Sequence, residues 1–206
     1  MTVVQPTPPI VERRVEGRER IVQEARPLFV ARGFNAVSMQ QIADAAGVNK
    51  ATLYHHFRDK EELFLDVVRE EIAKATATVL RAIAAGGDFR AKLYRLVASL
   101  FATTELDYFR LIADLHEYVS EERRLRLLEE TPPPWKAVRT MMEDATAAGE
   151  IRPISVDLAT SMLFHAIFGQ IKLEKMGTLA YPADDALAKL VVDLLMDGLA
   201  ASACRD

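Results

Sequence analysis

The segment SMQQIADAAGVNKATLYHHF, residues 38–57, contains two helix starts separated by a single glycine. Ser38 is followed three residues later by Gln41, which is the spacing of a capping box at a helix N-terminus. Gly47 stands where a left-handed residue closes a helix, and Asn49 can then cap the next helix. The segment therefore predicts two short helices joined by a tight turn.

The second of these helices, predicted over 50–57, has an apolar side and a polar side. Leu53 and Phe57 lie four residues apart, on the same side of a helix, and we expect them to bury against its neighbours. The opposite side carries a small residue, a hydroxyl, a phenol and an imidazole, from Ala51, Thr52, Tyr54 and His55. A helix, a tight turn and an exposed second helix make a helix-turn-helix, whose second helix enters the DNA major groove. The alternative is a helical hairpin that serves only for packing.

The residues on that polar side suit contacts with DNA. Ala51 allows the helix to approach closely, and Thr52 can reach a base edge or a thymine methyl group. The Tyr54 phenol and the His55 imidazole can donate hydrogen bonds to phosphate oxygens. Lysines near the starts of two predicted helices add positive charge where backbone amides already favour anions.

Composition is compatible with this interpretation but does not require it. The chain has 206 residues, half of them hydrophobic, and a net charge of −4. Residues 1–60 hold nine Lys/Arg and six Asp/Glu, so a net charge of +3 lies at one end and −7 in the remainder. A basic head on an acidic body favours binding of a polyanion at that end.

The single cysteine, Cys204, excludes a disulfide framework or a cysteine metal site within one chain, and fits a reducing, cytoplasmic setting. Apolar runs of the roughly 18 residues typical of a membrane span do not occur, so no membrane partner is expected. HExxH, CxxC, GxSxG and phosphate-loop patterns do not occur either, so we expect no metal and no cofactor.

The rest of the chain has helical periodicity and predicts an all-α fold. Residues 1–11, interrupted by prolines, predict a flexible leader, and the first helix is expected over about 11–33 with a bend at Pro27. Glycine and proline signals separate the later helices. These are predicted at about 60–84, 88–103, 106–121, 122–130, 134–148, 155–176 and 183–203.

The segment from Ile21 to Val67 resembles the DNA-binding domain of TetR-family transcriptional regulators. LFVARGFNAVSMQQIADAAGVNKATLYHHFRDKEELFLDVV carries the family's capped second helix, alanine-glycine-valine turn, Leu-Tyr-x-x-Phe third helix and Lys-Glu-x-Leu fourth-helix start. Position 51 is alanine where the family often has glycine, and Pro27 is a second departure. The resemblance implies a double-stranded DNA operator as partner. It implies DNA contacts at Ser38, Lys50, Ala51, Thr52, Tyr54, His55 and Lys60.

Beyond residues 13–67 the resemblance is architectural. It implies a leader at 1–11, a three-helix helix-turn-helix domain at 12–67 and a larger helical ligand-binding and dimerisation domain at 68–206. It also implies a repressor released from its operator by a small, largely apolar ligand. Two alternatives stay open, namely a ligand-independent DNA binder or activator and, more remotely, a helical-bundle enzyme using His116 or His165.

Two later helices suggest a homodimer. The helix over 155–176 is apolar nearly all round, so it can bury more than one side, and the helix over 183–203 carries a leucine-rich stripe. Two such helices from each chain would form a four-helix interface, as in TetR-like proteins, although both could instead belong to the core of one chain. The predicted interface residues are Met162, Ala166, Gly169, Gln170, Leu173, Leu187, Leu190, Val191, Leu194 and Leu195.

Aromatic and methionine side chains recur along the C-terminal region. At helical spacing such residues are more often core than pocket, but the resemblance implies a small-molecule cavity among the helices from 60–84 to 155–176. A mixed aromatic and methionine lining would suit an apolar ligand. The candidate lining residues are Tyr94, Phe101, Tyr108, Trp135, Met141, Phe164 and Phe168.

Overall fold

A computed structural model describes residues 10–103, 106–178 and 182–199, and over these residues the chain forms ten α-helices and no strand. The helices are α1 (Ile10–Arg32), α2 (Met39–Ala45), α3 (Lys50–His56), α4 (Lys60–Ala84), α5 (Phe89–Thr103), α6 (Leu106–Tyr118), α7 (Glu121–Glu130), α8 (Pro134–Ala147), α9 (Val156–Lys175) and α10 (Asp185–Leu199). The all-α prediction is confirmed. Most of the predicted leader lies outside the described residues, and α1 already begins at Ile10.

The chain divides into two compact units. Among the described residues, the first contains those up to Glu71 together with 107–127, and the second contains those from 72 to 106 and from 128 onwards. The boundary predicted after residue 67 lies close to the first of these divisions. The prediction placed 107–127 in the C-terminal domain, whereas contact density groups this segment with the helix-turn-helix.

The first unit buries one apolar face from each of its main helices. Phe29 of α1, Leu53 of α3 and Phe64 of α4 are fully buried, and α6 adds Leu111. The rings of Phe29 and Phe64 pack edge to face with their centroids 5.1 Å apart. Burial of large side chains from α1, α3, α4 and α6 fixes the arrangement of this unit, at about 1.5–3 kcal/mol for each fully buried side chain.

The second unit has its own core. Its buried residues come from the second half of α4 and from α5, α8, α9 and α10. Polar contacts join these helices at the edge of the core, since the Glu150 carboxylate accepts a hydrogen bond from the Phe89 amide at 2.6 Å. The Arg90 guanidinium likewise pairs with Asp193. Among the described residues, no helix has the length and apolar character needed to cross a membrane.

Candidate nucleic-acid interface

Local sequence signals produce the two helices of the opening segment as predicted. The Ser38 hydroxyl accepts a hydrogen bond from the Gln41 amide at 3.2 Å, and the Gln41 side-chain oxygen accepts one from the Ser38 amide at 2.8 Å, which completes the capping box. Gly47 has φ +63°, a left-handed conformation that only glycine adopts without strain. The Val48 amide then donates to the Ala43 carbonyl at 3.0 Å and closes α2. The Asn49 side chain caps α3.

One side of α3 is buried and the other faces solvent. Leu53 within the helix and Phe57 just after it are fully buried, whereas Lys50, Ala51, Tyr54 and His55 are exposed. Tyr54 is 45% exposed, a large fraction for a tyrosine beside a packed core. Within the described residues, the side chains of Lys50, Tyr54 and His55 form no hydrogen bond or ion pair. We call these four exposed residues the α3 face, and their polar groups are available to an external partner.

Ser38 and Thr52 differ from the α3 face, because their hydroxyl protons already have acceptors. The Ser38 hydroxyl donates to the Gln41 side-chain oxygen at 3.0 Å, and the Thr52 hydroxyl donates to the Asn49 side-chain oxygen at 3.0 Å. A hydroxyl group has one proton, so in this conformation both residues offer lone pairs but no further donor. A phosphate oxygen only accepts, so contact with the Ser38 hydroxyl requires its bond to the Gln41 side-chain oxygen to break.

Lys60 departs further from its predicted phosphate contact. Its ammonium donates to the carbonyls of Phe34 at 2.8 Å, Val37 at 2.9 Å and Asn35 at 3.5 Å. It also lies 4.3 Å from the centroid of the Phe34 ring, and burial lowers the pKa of Lys60. An ammonium has three protons, so these carbonyls use its whole donor capacity. The structure therefore makes Lys60 a support of the loop between α1 and α2.

Arg18 of α1 also contributes to this site, although no sequence motif indicates it. Its guanidinium donates to the His56 carbonyl at the end of α3 and lies 4.1 Å from the centroid of the Phe57 ring. It also pairs with Asp66 and Glu62 of α4. These contacts connect α3 to α1 and α4, so Arg18 fixes the orientation of the α3 face. The partners lie 38 to 48 residues away in the chain, so no local sequence pattern predicts these contacts.

Comparisons with known proteins agree with this geometry. The family pattern described as "Bacterial regulatory proteins, tetR family" matches residues 21–67. The HTH-type transcriptional repressor KstR2 of Rhodococcus jostii is 28% identical over 190 residues, which are 89% of this chain and 91% of that protein. The crystal structure of the transcriptional regulator FadR from Bacillus subtilis in complex with stearoyl-CoA superposes with a TM-score of 0.69 at 22% identity, covering 87% of this chain and 98% of that one. The chain belongs to the TetR family.

TetR-family proteins are DNA-binding transcription regulators rather than enzymes. Membership of this family therefore rejects the alternative of a helical-bundle enzyme that uses His116 or His165. The HTH-type transcriptional activator FasR of Mycolicibacterium smegmatis is 37% identical over 110 residues. That match covers 52% of this chain and spans about half the length of FasR. The relatives therefore include a named activator as well as a named repressor.

The candidate ligand-binding residues of this TetR-family chain do not form one group. Tyr108 belongs to the first unit, where burial and the Glu71 carboxylate raise the pKa of Tyr108 to about 12. The other six candidates belong to the second unit. Three of them contribute to its hydrophobic core, namely Phe101, Met141 and Phe164. Tyr108 is thus grouped with the helix-turn-helix, and its contact with a ligand stays a prediction.

The remaining three candidates lie nearer the surface of the second unit. The Phe168 ring packs 5.4 Å from Phe164, and the Tyr94 hydroxyl donates to the Asp185 carboxylate. The Trp135 side chain is exposed at the start of α8. Whether any of these residues touches a ligand stays a prediction.

The predicted dimer residues of the TetR-family chain separate into exposed and buried sets. Met162 and Ala166 of α9 and Leu190 and Leu194 of α10 are exposed, with Leu194 at 66%. The other α9 and α10 candidates, Gly169, Gln170, Leu173, Val191 and Leu195, are half-buried. Leu187 is only 6% exposed and belongs to the core of the second unit. Its side chain packs inside one chain, and its predicted part in an interface stays a prediction.

One exposed residue of α9 was missed. Leu158 is 60% exposed and lies four residues before Met162, so it extends the same apolar strip along α9. The i, i+4 spacing could have revealed it. Among the described residues, no group of His, Cys, Asp and Glu side chains is arranged to hold a metal ion.

Proposed function

We propose that this protein is a homodimeric repressor that binds an operator in double-stranded DNA and leaves it when a small, largely apolar ligand binds. The DNA-binding part of this proposal is supported by the exposure of the α3 face. Its polar groups point away from a fully buried apolar side and form no hydrogen bond within the described chain. Such a surface needs an external partner to be useful, and a major groove fits a single exposed helix.

The α3 face and the neighbouring Thr52 suit different parts of DNA. Lys50 carries a positive charge, and Tyr54 and His55 donate hydrogen bonds, so these residues suit the phosphate backbone. Ala51 allows a close approach to the bases. Thr52 presents its methyl group and hydroxyl lone pairs because its proton is committed to Asn49. It can therefore contact a thymine methyl or accept from the amino group of adenine or cytosine, while guanine offers no matching donor in the major groove.

A homodimer is supported by the apolar surface of α9 and α10. Leu158 and Met162 on α9 and Leu190 and Leu194 on α10 are large side chains that remain at least half exposed in one chain. On each helix the two residues lie four positions apart and form an exposed apolar strip, and such strips often mark a protein interface. Two copies related by a twofold axis would present two α3 faces to half-sites about 34–36 Å apart, one turn of DNA.

The ligand part of the proposal is supported by the composition of the second unit. Its core combines methionine with aromatic side chains, including Met141, Phe101 and Phe164, a combination that adapts well to apolar ligands. FadR, which shares the fold, was crystallised with stearoyl-CoA. A long-chain acyl-CoA, which joins an apolar acyl chain to a polar, anionic CoA group, is therefore a sensible first probe beside wholly apolar molecules. For a tenfold release, the ligand must favour the DNA-free form by about 1.4 kcal/mol.

The first experiment is a mobility-shift titration of the full chain with DNA flanking its own gene, at several salt concentrations. We expect a specific complex that weakens steeply as salt rises, because each neutralised phosphate adds about −0.9 to the log–log slope. Addition of stearoyl-CoA or of an apolar ligand should dissociate it. The absence of a complex at every salt concentration would rule out both DNA-binding hypotheses.

A promoter–reporter assay then separates the remaining alternatives. A repressor should lower transcription until the ligand is added, whereas an activator should raise it. DNA binding that no apolar molecule changes would favour the ligand-independent alternative. The named activator FasR is the observation that keeps the activator alternative open.

A further inference from the structure

The loop between α1 and α2, residues 33–38, leads directly into the Ser38 cap and so sets where α2 begins. It starts at Gly33, which has φ +79° and whose amide closes α1 through the Phe29 carbonyl at 2.7 Å. The loop is not helical, so its amides and carbonyls need partners outside regular secondary structure. These partners come from α4 and α6.

Helix α6 holds one side of the loop. The Asp114 carboxylate accepts a hydrogen bond from the Phe34 amide at 2.7 Å, across 80 residues of sequence. The Tyr118 ring stacks on the Phe34 ring, with centroids 5.6 Å apart and planes 21° apart. The approach is close, because a Cβ atom added to Gly33 would lie 3.1 Å from the Arg110 guanidinium and 3.3 Å from the Asp114 carboxylate.

Helix α4 holds the other side. The Lys60 ammonium donates to the carbonyls of Phe34 and Val37, and the Phe64 ring packs 5.0 Å from the Phe34 ring. The start of α4 is in turn bound to α7, since the Arg123 guanidinium lies 3.1 Å from the Glu61 carboxylate. Phe34 is therefore fixed through its amide, its carbonyl and its ring. We call Phe34, Lys60, Asp114 and Tyr118 the loop clamp.

We infer that Asp114 and Tyr118 are positioning residues for DNA binding, which rests on the DNA-binding function proposed above. They act through the loop and α2 rather than by touching bases, and α2 packs directly against α3. On this inference, residues 107–127 contribute to DNA binding. They do so although they begin 40 residues after the helix-turn-helix domain predicted at 12–67. A loosened loop lowers the fraction of molecules with α2 in place, and apparent affinity falls in proportion to that fraction.

The sign of the effect separates this role from simple electrostatics. Removal of a carboxylate from a DNA-binding protein should strengthen binding if charge alone matters, because DNA is a polyanion. The loop clamp predicts the opposite for Asp114→Ala. Asp114→Asn has the same charge as Asp114→Ala but keeps an oxygen that can accept from the Phe34 amide. The difference between these two variants therefore isolates the hydrogen bond.

The test measures operator affinity of the full chain for wild type, Asp114→Ala, Asp114→Asn and Tyr118→Leu. Glu121→Ala serves as a matched control that removes an exposed carboxylate from α7 in the same unit. We expect Asp114→Ala to bind about tenfold more weakly and Tyr118→Leu several-fold more weakly. Asp114→Asn should stay within about twofold of wild type, and Glu121→Ala should equal it or bind slightly more tightly. Equal affinities for Asp114→Ala and Asp114→Asn would overturn the inference.

Amide hydrogen exchange supplies a readout that does not depend on DNA. The Phe34 amide should exchange faster in Asp114→Ala than in wild type and should recover its protection in Asp114→Asn, while amides in α5 and α8 stay unchanged. Unchanged protection at Phe34 in Asp114→Ala would also overturn the clamp. If wild type binds no DNA, the proposed function fails, and exchange at Phe34 still decides whether the clamp exists.

Discussion

The α3 face and the α1–α2 loop differ in what their polar groups already bind. On the α3 face, Lys50 and Tyr54 keep their donors for an external partner. At the loop, the Lys60 ammonium has three carbonyl acceptors, and the Ser38 hydroxyl completes a capping box. Both regions are polar and lie near helix starts. The free donors of the α3 face suit it to recognition of DNA, whereas the donors at the loop are already used to support the fold.

The difference has an energetic basis. A donor that is satisfied within the chain must give up that bond before it can contact phosphate, and the net gain is then small. A donor that is solvated in the free protein exchanges water for phosphate and releases counterions from DNA. We therefore expect substitutions on the α3 face to change affinity more than stability, and substitutions around the loop to change stability first.

The largest expected effect concerns Gly33, compared with Gly47 as its control. Both have positive φ, so alanine at either position is strained by about 1–2 kcal/mol. A Cβ at Gly47 would meet nothing within 4 Å, whereas one at Gly33 would crowd Arg110 and Asp114. Gly33→Ala should therefore destabilise the protein by about 1 kcal/mol more than Gly47→Ala in urea unfolding. Equal losses of stability in the two variants would mean that Arg110 and Asp114 move away from the added Cβ at no cost in free energy.

The next effect separates the two lysines. Lys60→Met should cost on the order of 1–2 kcal/mol of stability, because three loop carbonyls lose a charged donor. Lys50→Ala should leave the unfolding midpoint nearly unchanged but flatten the log–log salt dependence of operator affinity by about 0.9 for one lost phosphate contact. The sequence alone predicts that flattening for Lys60 as well. If Lys60→Met flattened the salt dependence of operator affinity without lowering stability, Lys60 would instead be assigned a contact with the phosphate backbone.

These two lysines also show what the sequence could predict. The helix boundaries around 38–57 follow from local signals at Ser38, Gly47 and Asn49, and they are confirmed. Nothing local distinguishes Lys50 from Lys60, since each stands at the start of a helix. Their difference depends on carbonyls 23 to 26 residues away from Lys60.

Longer-range contacts were further out of reach. The bond from the Phe34 amide to Asp114 spans 80 residues, and the sequence placed Asp114 in a different domain. Leu187 and Leu190 belong to one periodic stripe, and only packing in the second unit decides that Leu187 is buried while Leu190 is exposed. Periodicity identifies an apolar stripe, but the helices that cover it are known only from the fold.

The next effect changes specificity rather than stability and concerns the base preference at Thr52. Thr52→Ala should change the ranking of operator variants by up to about 1–3 kcal/mol at one base pair if the contact is specific, while affinity for unrelated DNA stays the same. Asn49→Ala removes the acceptor that holds the Thr52 proton and should allow new donor contacts at that base pair. Parallel selection of both variants against a randomised operator library measures this. Identical preferences in wild type and both variants would remove Thr52 from base recognition.

The smallest effect concerns the Tyr54 hydroxyl. Tyr54→Phe removes one donor and keeps the ring beside Lys50, whose ammonium lies 5.8 Å from the ring centroid. The loss is one hydrogen bond to phosphate, about 0.5–1.5 kcal/mol, or roughly two- to twelvefold in affinity. Because phosphates carry no sequence information, operator and unrelated DNA should lose the same factor. Titration of wild type and Tyr54→Phe against both DNAs at one salt concentration gives this ratio. A loss of affinity confined to the operator would instead indicate that the hydroxyl contacts a base edge. Tyr54 would then contribute to sequence recognition rather than to phosphate binding.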